Sequence, residues 1–286
     1  MTTTVGTSTV TPRTLWTLFE PLHSVTYFAP EATGAFEEAG LDGFWNGYFA
    51  GRAAPLGAVG AGAVTGAFCS YAPSMVAEAV PAVWEVVTPA EALDVRRRGA
   101  RAALARLLTG LEAEAALAGE LLAPAASAPD CAGRSLAAAN AALLWPEDPL
   151  ERLWHAATVL REHRGDGYVA AQVAADLDGC EILVLRAGID LPRGELQPYR
   201  GWSDEEWAAA GRRLAGRGLL DADGRATAHG LRTHTEIEEA TELAAARPWA
   251  GTDLAPLAGA LLPLARAAAR VLRFPNPMGL PDGTAG

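Results

Sequence analysis

Apolar residues recur at helical spacing through almost the whole of this chain, and helix start and stop signals separate one run from the next. The clearest run is 88–110, TPAEALDVRRRGARAALARLLTG. Thr88 precedes it as a cap, Pro89 takes the first helical position, and Glu91 stands where a capping box needs a carboxylate. Ser203 and Glu206 repeat the device, and Asp148-Pro149 and Asp178 open further helices. Only 219–230, LLDADGRATAHG, reads as strand: apolar ends around an Asp-Gly turn predict a β-hairpin. The expected class is therefore mainly α. Sheet-based nucleotide folds are excluded, and no GxSxG, Walker or GxGxxG motif occurs in a strand–turn–helix setting.

The chain has 286 residues, half of them apolar, which is enough for a substantial core. All 23 basic residues are arginine, and the net charge of −11 leaves phosphate attraction to a local basic patch. Three cysteines, Cys69, Cys131 and Cys180, without CxxC spacing, speak against a disulfide framework or a structural zinc site. The first residues lack the pattern of a signal peptide, and the apolar stretch 53–70 is too rich in glycine for a membrane span. Those glycines predict either a loop or a close backbone approach. A cytoplasmic protein without a membrane partner is the expectation.

The expected organisation is a disordered tail over 1–11, an N-terminal helical module over 12–123, a linker with a short helix over 124–147, a second module over 148–246, and a C-terminal helix and tail over 247–286. Gly165 and Gly167 are expected to stop the helix that begins at Asp148. Two passages resemble each other. Each starts Leu-Trp, ends its helix at a histidine (His23 or His163), continues through Tyr27 or Tyr168, and reaches Leu-Asp-Gly at 41–43 or 177–179. This predicts two related modules with the deepest cleft between them.

The residues GWSDEEWAAAGRRLAGRGLLDADGRATAHG resemble the recognition helix and wing of a MarR-like regulator. Nearly the whole chain is similar to an actinobacterial helix-turn-helix family, through YFAPE, FWNGYFAGRAAPLG, LREHRGDG, RGWSDEEW and FPNPMGLP. In that family a histidine often follows RGDG; Tyr168 stands there in this chain. The resemblance implies two winged-helix-like modules, the second with a short β-hairpin wing, followed by C-terminal helices. It also implies a DNA-reading ancestry. Yet 200–234 holds six arginines against five acids, and Asp204, Glu205 and Glu206 open the would-be recognition helix, so DNA is disfavoured as a partner.

The densest polar stretch is REHRGDGY, 161–168. It reads as a charged helix end, or as a site where Arg161 pairs with Glu162 or Asp166 and turns His163 toward a pocket as an acid–base group. With no HxH, HxxxH or HExxH spacing, no metal is expected. In FWNGYFAGRAAPLG, Trp45, Tyr48 and Arg52 are either core or a wall for a planar anionic or phenolic ligand, with Gly47 and Gly51 admitting another backbone. His23, just before Tyr27, is the second acid–base candidate. The expected function is a cofactor-free protein of bacterial specialised metabolism, binding or transforming a hydrophobic aromatic or polyketide-like molecule between its modules. The candidate catalytic residues are His23 and His163. The candidate ligand contacts are Tyr27, Trp45, Tyr48, Arg52, Arg161, Glu162, Asp166 and Tyr168. A MarR-like transcriptional regulator is the alternative, and a dimerisation protein, hence a homodimer, is a third reading.

Overall fold

Asp148 sets the longest helix. Its side chain accepts the backbone N–H groups of Leu150 and Glu151, with Pro149 at the first position. The helix then runs unbroken over Pro149–Ala174, through the two glycines where the sequence predicts a stop. Packing overrides their propensity cost of ~1 kcal/mol each. A Cβ on Gly167 would lie 2.8 Å from Arg134 Nη1 and 3.2 Å from Ala244 Cβ. Its absence lets Arg134 reach across to the carbonyls of His163 and Ala244.

The structure, a computed structural model, describes residues 10–127 and 129–281. The tail predicted over 1–11 lies almost wholly outside the described residues. In chain order the helices are α1 (Pro12–Phe28), α2 (Pro30–Glu38), α3 (Phe44–Ala53), α4 (Ala61–Phe68), α5 (Pro73–Ala79), α6 (Val83–Val86), α7 (Pro89–Leu107), α8 (Glu112–Ser127) and α9 (Ser135–Ala141). After them come α10 (Pro149–Ala174), α11 (Gly179–Ala187), α12 (Arg193–Leu196), α13 (Asp204–Gly216), α14 (Ala228–Ala245) and α15 (Leu254–Ala268). The capping boxes of Thr88, Asp178 and Ser203 all form. The glycine-rich stretch is loop over 57–60 and helix α4 from Ala61, and none of its glycines serves a close approach, for a Cβ at Gly57, Gly60, Gly62 or Gly66 would meet nothing within 4 Å.

The predicted wing is corrected. Among the described residues there is no strand, and the fold is all-helical rather than winged. Leu220 and Ala226 form one isolated antiparallel bridge. Asp221 N to Arg225 O at 2.8 Å and Thr227 N to Leu219 O at 3.0 Å close it, and it goes no further because Thr227 already caps α14. Asp221 Oδ1 gathers the N–H groups of Asp223 and Arg225 into a tight turn. The Ala226 N–H, on the side away from Leu220, donates to Gly188 O, just past the end of α11, at 2.9 Å.

Three apolar clusters form the core. The largest joins α1, α7, α8, α10 and α15 through Leu15, Phe19, Leu104, Leu122, Leu153 and Leu264, all 2% exposed or less. The segment Leu254–Val271 is the one described helical stretch long and apolar enough to cross a membrane. Here Leu257, Leu261 and Leu264 bury against this cluster. A second cluster, mostly aromatic, lies around α3, and a third joins α11, α13 and α14 around Leu185, Trp207 and Ile237. α10 crosses α1, α7, α8, α9 and α14, so its outer turns reach the space left between the clusters.

Candidate ligand cavity

That space is a cavity of about 880 Å³, walled by α1, α3, residues 67–71, α10, α11, the chain between α11 and α13, α14 and the C-terminal tail. Its size falls within the ~300–1,000 Å³ of small-molecule sites. α3 supplies the aromatic wall because of its glycines. A Cβ on Gly47 would stand 2.9 Å from Phe36 Cβ, and one on Gly51 2.6 Å from Phe36 Cζ. A side chain, not a backbone, uses that room: Phe36 lies flat on one face of α3. Phe44, Trp45 and Tyr48 face the cavity, joined by Tyr71. The Tyr27 and Tyr48 rings are 4.8 Å apart and those of Tyr48 and Tyr71 5.5 Å, contact distances for aromatic pairs.

Behind this wall runs a closed ion network. Arg52 Nε and Nη2 each donate to Glu162 at 3.1 Å, in a bidentate pair. Arg161 donates to the same carboxylate at 2.7 Å and to Glu20 at 3.1 Å. Trp16 Nε1 donates to the other Glu20 oxygen at 2.9 Å. Burial alone would raise the Glu162 pKa. The Arg161 and Arg52 guanidiniums outweigh burial and hold it far below the carboxylate range. Two arginines and two glutamates cancel, so Arg52 offers a ligand little net charge.

Tyr48 Oη accepts from Arg52 Nη1 at 3.1 Å and from Tyr71 Oη at 2.7 Å. With both lone pairs used, it has only its own proton to offer a ligand. Burial opposes loss of that proton, but Arg52, Arg161 and Arg200 together lower the pKa below that of an ordinary phenol. His23 sits behind Tyr27 and is 1% exposed. Thr158 donates its hydroxyl proton to Trp154 O at 2.8 Å, so at 2.9 Å it accepts from His23 Nδ1. The neutral ring then presents Nε2 as acceptor to the Tyr27 hydroxyl at 3.1 Å. Burial, aided by Arg161, keeps that imidazole neutral by lowering its pKa well below 6.5.

Of the sequence candidates, Tyr27, Trp45, Tyr48, Arg52, Arg161 and Tyr168 line the cavity, and Glu162 lies against it through its pairs. His163 and Asp166 do not line it. The His163 ring meets Asp130 O at 3.2 Å, so the Arg161–Glu162 pair does not turn it toward the pocket. Asp166 caps α9 by accepting the Ala137 N–H at 2.9 Å. Arg200, Tyr71 and the tail from 271 to 281 complete the walls. Sequence reading missed them, although RGWSDEEW and FPNPMGLP contain two of the three.

α11 and α13 pack together as a helix pair. The sixteen residues between them, 188–203, far exceed the ~3–4-residue turn of a DNA-binding helix-turn-helix. This insertion folds inward: its Leu196, Tyr199 and Arg200 line the cavity, and bonds from Ala72 N to Arg200 O and from Trp202 Nε1 to Ser70 O pin it. A family profile described as helix-turn-helix matches residues 12–275. The chain belongs to that helix-turn-helix family. No curated protein and no solved structure matches the chain. In this helix-turn-helix protein Arg212 of α13 has no carboxylate within 4 Å among the described residues, whereas Arg213 and Arg217 are both tied down. Arg213 is held by Asp178 and Glu181, and Arg217 by Asp176 and Glu181. Asp204, at the start of α13, is held by Arg193.

Proposed function

We propose that this helix-turn-helix protein binds a hydrophobic aromatic small molecule in the cavity between α1, α3, α10 and the 188–203 insertion. The observation that carries the reading is the wall of Phe44, Trp45, Tyr48 and Tyr71, which lines a space of about 880 Å³. The charged groups on its wall are mostly tied into pairs, as in the Arg52–Glu162 and Arg161–Glu20 bonds, so they shape the site more than they charge it. Gly165 lines the same space, and a Cβ there would meet only Glu162 Oε2, at 3.8 Å. Gly165→Leu therefore obstructs the cavity while improving a helix position. Fluorescence titration with aromatic acids and phenols of two to four fused rings tests the reading. Wild type is expected to bind members of the set with micromolar affinity, and Gly165→Leu to lose at least tenfold. Equal binding by both proteins, or none by wild type, contradicts it.

A DNA-binding regulator is the second reading, favoured by the family match over 12–275. The insertion would then be the coupling element, since it runs from the cavity wall at Arg200 into the Ser203 cap of α13. Gel shifts with genomic fragments at low and moderate salt decide this reading. Phosphate contacts require affinity to fall steeply with salt, and a regulator of this design changes its affinity when the cavity ligand is added. Absence of salt-sensitive binding removes it.

A further inference from the structure

Seven arginines line the cavity. Among the described residues six of them have a carboxylate within 4 Å. Arg200 has none. Its Nη1 donates to Tyr199 O at 3.0 Å and its Nη2 to Pro277 O at 2.6 Å. Its guanidinium lies 4.8 Å from the Tyr71 ring centre. Its Nε is buried and donates to nothing. Six carboxylates serve the other six arginines, so the cavity wall keeps one positive charge, and it sits on Arg200. Carbonyls and a ring face solvate that charge but do not neutralise it. A guanidinium has five N–H groups, of which two are committed here and three are left.

We propose that the cavity's ligand is an aromatic anion, a carboxylate or its equivalent, whose charge is held by Arg200 while its rings lie along Trp45, Tyr48 and Tyr71. This rests on the cavity reading above. The arginine of α3, Arg52, is not the anchor, because an anion there would meet the Glu162 carboxylate that already occupies it. Arg200 is joined to the aromatic wall through Tyr71, whose hydroxyl donates to Tyr48 at 2.7 Å. An anion at Arg200 is therefore one side chain away from the Tyr48 phenol, whose own proton no described residue accepts. Charge and hydrogen-bond donor together select a ring system bearing an acid group and a neighbouring oxygen, such as a hydroxy- or keto-substituted aromatic acid.

The test uses fused-ring aromatic carboxylates and their matched carboxamides, titrated against wild type, Arg200→Gln and Arg200→Lys, with thermal melts showing that each variant is folded. Wild type is expected to prefer the carboxylates by about 10- to 100-fold, the range of a charge-assisted hydrogen-bonded pair. Arg200→Gln is expected to abolish that preference while leaving carboxamide binding within threefold, and Arg200→Lys to restore part of it. If wild type binds both series equally, the cavity reading stands and Arg200 is not an anion anchor. If the carboxylate preference survives in Arg200→Gln, the charge is held elsewhere and the proposal fails. If neither series binds, the cavity reading fails and takes this inference with it.

Discussion

Replacing Glu162 with glutamine breaks the ion network at its centre. The side chain is 2% exposed and serves Arg52, 10% exposed, and Arg161, 15% exposed. Without its charge, Arg161 keeps only Glu20, which already accepts from Trp16, and Arg52 keeps no carboxylate at all. Removing one partner of a buried ion pair costs about 3–5 kcal/mol, because the remaining charge is left uncompensated. For a chain of this size, each kcal/mol lowers Tm by roughly 2 °C or somewhat more. Glu162→Gln should therefore melt about 6–10 °C below wild type. The pair Arg52→Met with Glu162→Leu removes both charges and leaves the Arg161–Glu20 pair intact. It should recover more than half of the loss, and in a double-mutant cycle built on Arg52→Met and Glu162→Leu the coupling energy then exceeds about 2 kcal/mol. Urea unfolding of wild type, both single variants and the double variant measures this cycle. A Glu162→Gln cost below about 1 kcal/mol, or a double variant no better than the worse single one, refutes the closed network.

Further predictions concern the groups around the site. Burial pushes the Asp166 carboxyl up to about 6, above the ordinary ~3.9. Its contribution to stability is thus fully present below about pH 4 and is lost as pH rises through about 6, by about 2–3 kcal/mol. His155 and His163, pushed down to about 4 by burial, act in the opposite sense, their contribution being lost as pH falls from about 6.5 toward 4. The difference between wild type and Asp166→Asn in urea unfolding from pH 4 to 7 isolates the carboxyl, and a flat difference contradicts its burial. Gly165→Ala should raise stability by up to about 1 kcal/mol, since its Cβ meets only ordinary contact. Gly167→Ala should lower it, because its Cβ would displace Arg134 and press on Ala244; equal effects in thermal melts would contradict the packing of α10 on α14. Nitrogen-15 spectra at pH 7 should show His23 as the neutral Nδ1–H tautomer, and an Nε2–H ring would reverse the bond to Tyr27.

The starts of helices were legible because caps are local. Thr88, Asp178 and Ser203 each act on N–H groups within three residues. Elements decided by distant partners were not. The 219–230 segment has the pattern of a hairpin, yet it closes a single bridge before Thr227 starts α14, which then packs on α10. Gly165 and Gly167 signal a stop, yet α10 continues because Arg134 and α14 close over Gly167. The same division runs through the site. Trp45 and Tyr48, three residues apart, share a helix face, which periodicity reveals, whereas Phe44 beside them was not singled out. That Glu162 neutralises Arg52 could not be read, since the two stand 110 residues apart. Nor could Arg200 be singled out: what distinguishes it is the carboxylate it lacks, and that shows only once the other six arginines of the cavity wall have found theirs.

The account's central claim is tested most directly by a crystal structure of the protein with an aromatic acid bound at saturation. The predicted result is ring density inside the cavity, in contact with Trp45, Tyr48 and Tyr71, and no such density in Gly165→Leu. A ligand on the outer surface, or side chains collapsed into the space so that it no longer exists, would contradict it.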